Sequence, residues 1–170
     1  IKLGHQKGFD SGAMLDYVYR HETKGFGPLG RLIDRQYINA IGWRGIRQRK
    51  IHLEQLLVEA NQRLGKAARP TRLLDIAAGH GRYILDAVGQ FEHQPERVQL
   101  RDFDDQNVTD GRTLIAERGL GQIARFDQGD AFNADDLAGL YGPDNRATLS
   151  VVSGLYELFP ENDAVARSLG

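Results

Sequence analysis

Cysteine is absent from this 170-residue chain, which excludes disulfides and thiolate metal sites and is consistent with a reducing compartment. No run of about 18 apolar residues occurs, so no segment reads as a membrane span. The start lacks the charged and apolar pattern of a secretory signal. An excess of charge is missing too. Lys and Arg number 22 and Asp and Glu 23, a formal net charge of −1, so no global field favours nucleic acid or an anionic membrane. These absences point to a cytoplasmic protein. What is abundant is glycine, 20 residues, which points to tight loops. The length suffices for one domain with a real core. Beginning at Ile1 and stopping at Gly170, the chain reads as a piece of a longer protein.

Residues 1–10 show no periodicity and read as a mobile arm. "SGAMLDYVYRHE" is helical in pattern: Ser11 can cap, and Met14, Leu15 and Val18 recur at three- and four-residue spacing. "TKGFGPLG" breaks it with three glycines and a proline. "RLIDRQYINAIGWRGIRQRK" resumes, with an apolar stripe of Leu32, Ile33, Tyr37 and Ile41. A clearer helix follows, in which Leu53, Leu56, Leu57, Ala60 and Leu64 form one apolar face; Gly65 and Pro70 mark its end. From Thr71 the texture changes. "RLLDIA", "RVQLRDF", "IARFDQGD" and "ATLSVVSG" are short strand-like runs separated by helical patterns, which argues for a parallel sheet with helices on its faces. The expected organisation is a helical segment, 1–70, followed by a βα unit, 71–170.

"DIAAGHG", Asp75 to Gly81, lies where the first strand should end. In open parallel sheets ligands bind at the carboxyl ends of strands near the switch in strand order, and small residues let backbone approach a ligand. An ordinary strand-to-helix turn is the plainer reading of this segment alone. The second strand ends in Asp102, about 20 residues on, where a carboxylate can accept the ribose hydroxyls of an adenosine. Phe103 could cover the adenine face. Asp104 or Asp105 suits the cap of the next helix, and Asp102 comes too early for that task. The third strand ends at "QGDAF", where Asp130 can accept from an adenine amino group and the Ala131 N–H can donate to a ring nitrogen.

Three acids at three successive strand ends, with the small-residue loop, resemble the cofactor motifs of class I S-adenosylmethionine-dependent methyltransferases from about Arg72 to Phe159. Ala77 departs from the usual acid-x-Gly-x-Gly-x-Gly, and alanine is small enough to be accommodated. The resemblance implies a Rossmann-like α/β sheet of which about four of seven strands are present, the remainder lying beyond the chain. It implies S-adenosylmethionine as cofactor and an in-line transfer of methyl to an unidentified small-molecule or lipid-like acceptor. It places Asp75 at the cofactor's amino group and the backbone of Ala77, Ala78, Gly79 and Gly81 along its methionine and ribose. Asp102 takes the ribose, Asp130 and Ala131 the adenine, and Ser153 completes the wall. Tyr17, with Phe9 and Asp10, resembles the lid segment of such enzymes; plain helix packing is equally open. The segment before Thr71 resembles that of a bacterial methyltransferase group whose members can be fused behind an α/β-hydrolase domain.

Other features are less determined. Tyr156 and Glu157, after the fourth strand, are the acid–base candidates, against the alternative of a core aromatic and a helix-start charge. Arg44, Arg47, Arg49 and Lys50 beside Trp43 could meet a phosphate, a lipid head group or the methionine carboxylate, or form a solvated helix face. The histidines show no metal-ligand spacing, although His80 in the loop could be a general base. No Asn/Asp-Pro-Pro-Tyr motif supports methylation of adenine or glutamine nitrogens. A nicotinamide-dependent oxidoreductase shares the fold and the ribose acid, but its fingerprint needs a glycine where Arg82 stands. A non-catalytic cofactor-binding module of a larger hydrolase fusion is the other alternative.

Overall fold

The structure, a computed structural model, describes residues 12–22, 26–140, 142 and 146–169; the expectations for the first ten residues, Ser11, Phe9 and Asp10 lie outside these. Its elements run α1 (Gly12–Arg20), α2 (Gly27–Ile38), α3 (Ile41–Lys66), β1 (Arg72–Ile76), α4 (Arg82–Val88), β2 (Arg97–Asp102), α5 (Asp105–Glu117), β3 (Ala124–Gln128), α6 (Ala134–Ala138), β4 (Leu149–Val152), a 3₁₀ turn (Tyr156–Leu158) and α7 (Asn162–Leu169).

The four strands form one sheet in the order β3-β2-β1-β4, every neighbouring pair parallel. Strand order therefore reverses at β1, and the crevice beyond the carboxyl ends of β1 and β4 is the place where such sheets bind ligands. Alternation along β1 assigns its side chains. Leu73 joins a core with Leu57 of α3, Ile84 and Leu85 of α4 and Val108 and Ile115 of α5. Leu74 and Ile76 face the other way, onto Leu137 and Leu140. Asp75 has the parity of Leu73 and is completely buried. Tyr19 of α1 and Leu53 of α3 pack on the same core as Leu73, so helices from the first 70 residues complete one face of the sheet.

Three details of the helical segment differ from expectation. The pattern from Leu32 to Lys50 is not one helix: it breaks at Asn39–Ala40, and its second part continues into the 26-residue α3. Its stripe does not face the core, for Leu32, Ile33 and Ile41 are all exposed. On α3 the packed face carries Leu53, Leu57 and Asn61, while Leu56 points to solvent. Asn61 is fully buried and staples α3 to the sheet: it donates to Thr71 Oγ1 (3.0 Å) and the His93 carbonyl (2.8 Å) and accepts from the His93 N–H (3.1 Å). α3 ends at Lys66, between Gly65 and Pro70 as expected. A Cβ on Gly65 would sit 2.0 Å from the His93 ring, so the glycine makes room for that docking.

Candidate functional site

At the carboxyl ends of the strands lies a cavity of about 490 Å³, within the range of small-molecule sites. Every strand contributes to its wall: Ala77 to Tyr83 after β1, Asp102 to Asp104 at β2, Gly129 to Phe132 after β3, and Ser153 to Leu155 after β4. Leu15, Asp16 and Tyr19 of α1 also line it. The loop after β1 is held in a tight path by left-handed residues at Ala77 (φ 61°), Gly79 (59°) and Gly81 (69°). Ala77 thus occupies a glycine-type conformation, not merely a position where small residues suffice.

Asp102, at the end of β2, is nearly buried and lines the cavity. Its Oδ2 accepts from the Gly79 N–H (2.8 Å) and its Oδ1 from the Asp104 N–H and Asn107 Nδ2 (both 3.0 Å). A carboxylate offers about four acceptor positions. Three hold the β1 loop and the start of α5, which leaves one unused among the described residues. Asp104, as expected, is the residue that caps α5, accepting from the Gln106 and Asn107 N–H groups. Asp130 closes an Asx turn with the Phe132 N–H (2.8 Å) and lines the cavity next to Ala131. Phe103 is largely exposed at the rim, and Ser153 lines the wall below it in sequence order after β4.

Four expected site residues are absent from the cavity lining. Asp75 does not line the cavity. Its parity on β1 turns it beneath the wall, where Oδ2 accepts from the Tyr83 hydroxyl (2.7 Å) and Oδ1 has no partner among the described residues. Burial pushes its carboxyl well above the usual range, although the Tyr83 bond opposes this. Burial likewise pushes up the Tyr83 phenol, with the Asp75 charge adding to it, so Tyr83 stays a neutral donor. Tyr17 does not line the cavity. It leaves α1 on the side away from the cavity and donates to Asp34 of α2, while Tyr19, two residues on, faces inward. Glu157 and Tyr156 do not reach the cavity. Glu157 is half-exposed and pairs with Arg49 (3.2 Å), and the Tyr156 hydroxyl meets Ser168 Oγ (3.0 Å) while its ring tilts against Phe132.

The basic cluster, finally, is not a uniform solvated face. Lys50 pairs with Asp86 (2.7 Å) and with Glu54, and its charge lies over the Tyr19 ring. Arg49 points to the end of β4, directly behind the cavity wall: a Cβ at Gly154 would be 3.5 Å from its Nη2. Its Nε is buried with no hydrogen-bond partner among the described residues. Burial raises the Tyr19 phenol above its ordinary value, opposed by this Arg49 charge. Sequence reasoning placed Arg49 only within a charge run, because α3's length and direction set which of the run's members turns inward.

One further group was not singled out beforehand. Asp16 is buried in the roof. It accepts from Arg82 through short contacts and from Arg20 (2.8 Å), and lies 3.5 Å from His80 Nδ1. Burial alone would raise its pKa, but hydrogen bonds from His80 and Arg82 and their charges outweigh it and hold the carboxyl far below the usual range. His80 therefore points inward, between Asp16 and Asp110 (3.4 Å from Nε2). Arg82, where the dinucleotide fingerprint needs a glycine, is the clasp on α1.

The family described as "Putative methyltransferase" matches residues 1–170, the whole chain. The chain belongs to this methyltransferase family. The "Uncharacterized protein YnbC" of Escherichia coli (strain K12) is 50% identical over 169 residues, 99% of this chain; the chain spans 28% of that relative's length. Among solved structures, the methyltransferase chain resembles the "bifunctional kinase-methyltransferase WbdD" (TM-score 0.55, 22% identity, 69% of this chain and 25% of that one). It also resembles a "possible exported protein" of Bordetella parapertussis (TM-score 0.67, 16% identity, 93% and 48%). At these identities the structural likenesses establish the shared α/β fold, with four parallel strands, flanking helices and helices preceding the sheet.

Proposed function

We propose that this chain forms the cofactor-binding part of an S-adenosylmethionine-dependent methyltransferase. The observation that carries it is the convergence of all four strand ends on one cavity, with an acid at the ends of β2 and β3 both lining it. In this reading Asp102 accepts a ribose hydroxyl with its remaining acceptor position, Asp130 Oδ2 and the Ala131 N–H take the adenine edge, and Phe103 covers its face. The cofactor's methionine end is zwitterionic, and behind the wall at the opposite end, outside the cavity lining, lie two orphaned buried atoms of complementary kind, the acceptor Asp75 Oδ1 and the donor Arg49 Nε. Asp75, with Tyr83 in front of it, suits the ammonium, and Arg49 behind Gly154 suits the carboxylate. When bound, the cofactor supplies a methyl group on a sulfonium, activated for in-line displacement by an acceptor. The chain's own contribution is alignment and exclusion of water by the α1 roof and the β1 loop. A small-molecule or lipid-like acceptor and the association with an α/β-hydrolase domain belong to the same proposal.

Titration calorimetry with S-adenosylhomocysteine tests this. The protein is expected to bind it and to ignore the nicotinamide dinucleotide. Asp102→Ala should weaken binding by about 1.5–3 kcal/mol, the worth of a charge-assisted hydrogen bond. A folded variant with unchanged affinity would remove the ribose assignment.

A further inference from the structure

A ribose presents two adjacent hydroxyls, and each needs an acceptor once water is excluded. Asp102 cannot take both as the structure holds it. Its Oδ1 already accepts from the Asp104 N–H and from Asn107 Nδ2 (both 3.0 Å), and its Oδ2 accepts from the Gly79 N–H (2.8 Å). A carboxylate has about four acceptor positions, so one is left for two hydroxyls. Taking the second hydroxyl on Asp102 would release the β1 loop or the start of α5.

The cavity wall carries another acceptor beside it. Asn107, in the first turn of α5, lines the cavity together with Asp102. Chemistry orients its amide: an ionised carboxylate only accepts, so the NH2 faces Asp102 and the carbonyl oxygen points elsewhere. No group among the described residues donates to that oxygen. Gly12, the first residue of α1, packs against the amide and also lines the cavity. A Cβ on Gly12 would sit 2.6 Å from Asn107 Oδ1, so a side chain there would displace the oxygen.

The other acids of the cavity wall are less suited to the task. Asp104 is exposed and its Oδ1 caps α5. Asp16 is held by Arg82 and Arg20, and Asp130 stands one strand further on, closing its own turn.

We propose that Asn107 is the second half of the ribose site, its Oδ1 accepting one hydroxyl while Asp102 Oδ2 accepts the other. The inference rests on the methyltransferase reading of the cavity and adds to it a residue from α5. The amide then works in both directions, its donor holding Asp102 in place and its acceptor meeting the ligand. A ligand lacking either hydroxyl leaves one of the two acceptors unpaired, so the pair selects ribose over deoxyribose.

Calorimetry with S-adenosylhomocysteine and its 2′-deoxy and 3′-deoxy forms tests this. The parent should bind each deoxy form about two- to tenfold more weakly, the effect of one lost hydrogen bond. Asn107→Ala should weaken S-adenosylhomocysteine binding by a similar factor and stop discriminating against one deoxy form, while the other penalty, which belongs to Asp102, persists. Thermal unfolding shows whether the variant is folded. Should it not be, Gly12→Ala serves in its place, because the added methyl displaces the same oxygen and leaves the amide present. Both penalties persisting in the folded variant would make Asn107 a structural residue only. Both vanishing would mean that it acts solely by orienting Asp102. Either result overturns the proposal, as does a parent that tolerates the loss of one hydroxyl. Failure of the underlying reading looks different: a parent that binds none of the three ligands, or all three equally, removes the ribose assignment and this inference with it.

Discussion

Ala77 offers a direct test of how the β1 loop is built. Its φ of 61° places a β-carbon in the left-handed region, which costs an L-residue roughly 1–2 kcal/mol that glycine does not incur. Ala77→Gly removes that strain but gives the unfolded chain more freedom, worth about 0.4–1 kcal/mol in the other direction. The difference leaves the variant more stable by about 0.5–1 kcal/mol. For a chain of this length that is a rise in Tm of roughly 1–4 °C. The neighbouring glycines supply the opposite sign. Gly79→Ala keeps φ at 59° and sets a Cβ 3.3 Å from the Gly12 Cα of the roof helix; Gly81→Ala, at 69°, sets one 2.6 Å from Leu100 Cδ1. Both should lower Tm. Thermal unfolding by circular dichroism on the three variants decides the matter. A fall in Tm for Ala77→Gly would show that the methyl group's packing outweighs the backbone strain, and the glycine-type reading of that position would be wrong.

Other perturbations probe the charged groups. Asp75→Asn should stabilise the protein near neutral pH: a raised folded-state pKa means stability declines as pH rises above 3.8 toward that value, and the amide removes this slope. The same variant should bind S-adenosylhomocysteine more weakly, and calorimetry showing stability and affinity rising together would contradict the ammonium assignment. Asp16 has the opposite linkage. Its contribution is complete above pH 3.8 and is lost as pH falls toward the depressed folded value, so Asp16→Asn should flatten the acid limb of a urea-stability profile. At pH 7 it should cost toward the low end of about 3–5 kcal/mol, because Arg20 is partly exposed and Arg82 only partly buried. Glu157→Gln should tighten cofactor binding by at most about fivefold. It frees Arg49 from a solvent-screened pair worth about 1 kcal/mol or less, and weaker binding would argue that Glu157 positions Arg49 instead of competing for it.

The sheet was legible because its signals are local. Strand-like runs alternate with helices, and capping chemistry such as Asp104 marks where α5 begins. The strand-end acids Asp102 and Asp130 were legible for the same reason: the chain position of a strand end fixes where a side chain emerges. What a strand end does not fix is the face, and Asp75 shows it. One residue of parity decides between the cavity wall and the space behind it, and only the pairing of β1 with both neighbours settles which. The helical residues were harder still. Tyr17 and Tyr19 are both aromatic on one short helix, and the choice between them depends on how α1 sits on Gly79 and Asn107, a contact nearly 70 residues or more distant in sequence. The α2 stripe has the period of a buried face, and periodicity alone cannot say that nothing covers it.

The contributions of the first 70 residues change how the site should be understood. In the proposed reading the parallel sheet supplies the adenosine end from β2 and β3, whose ends carry Asp102 and Asp130 into the cavity wall. On that reading it does not by itself supply a cation for the proposed carboxylate, because the strand-end residues lining the cavity after β4 are Ser153, Gly154 and Leu155. Arg49 arrives from α3, and Asp16 and Tyr19 arrive from α1, each fixed by partners on the sheet side: Glu157, Arg82 and the core beneath Tyr83. The helices are therefore not an appended cap whose removal would leave a weaker but intact site. Deleting them would expose Leu57's place in the core, unpair Arg82 and leave Asp75 buried in a site open to water. Loss of the amino-acid end and loss of folding should then occur together, whereas Arg49→Gln in the intact chain should separate them by weakening cofactor binding with little change in Tm.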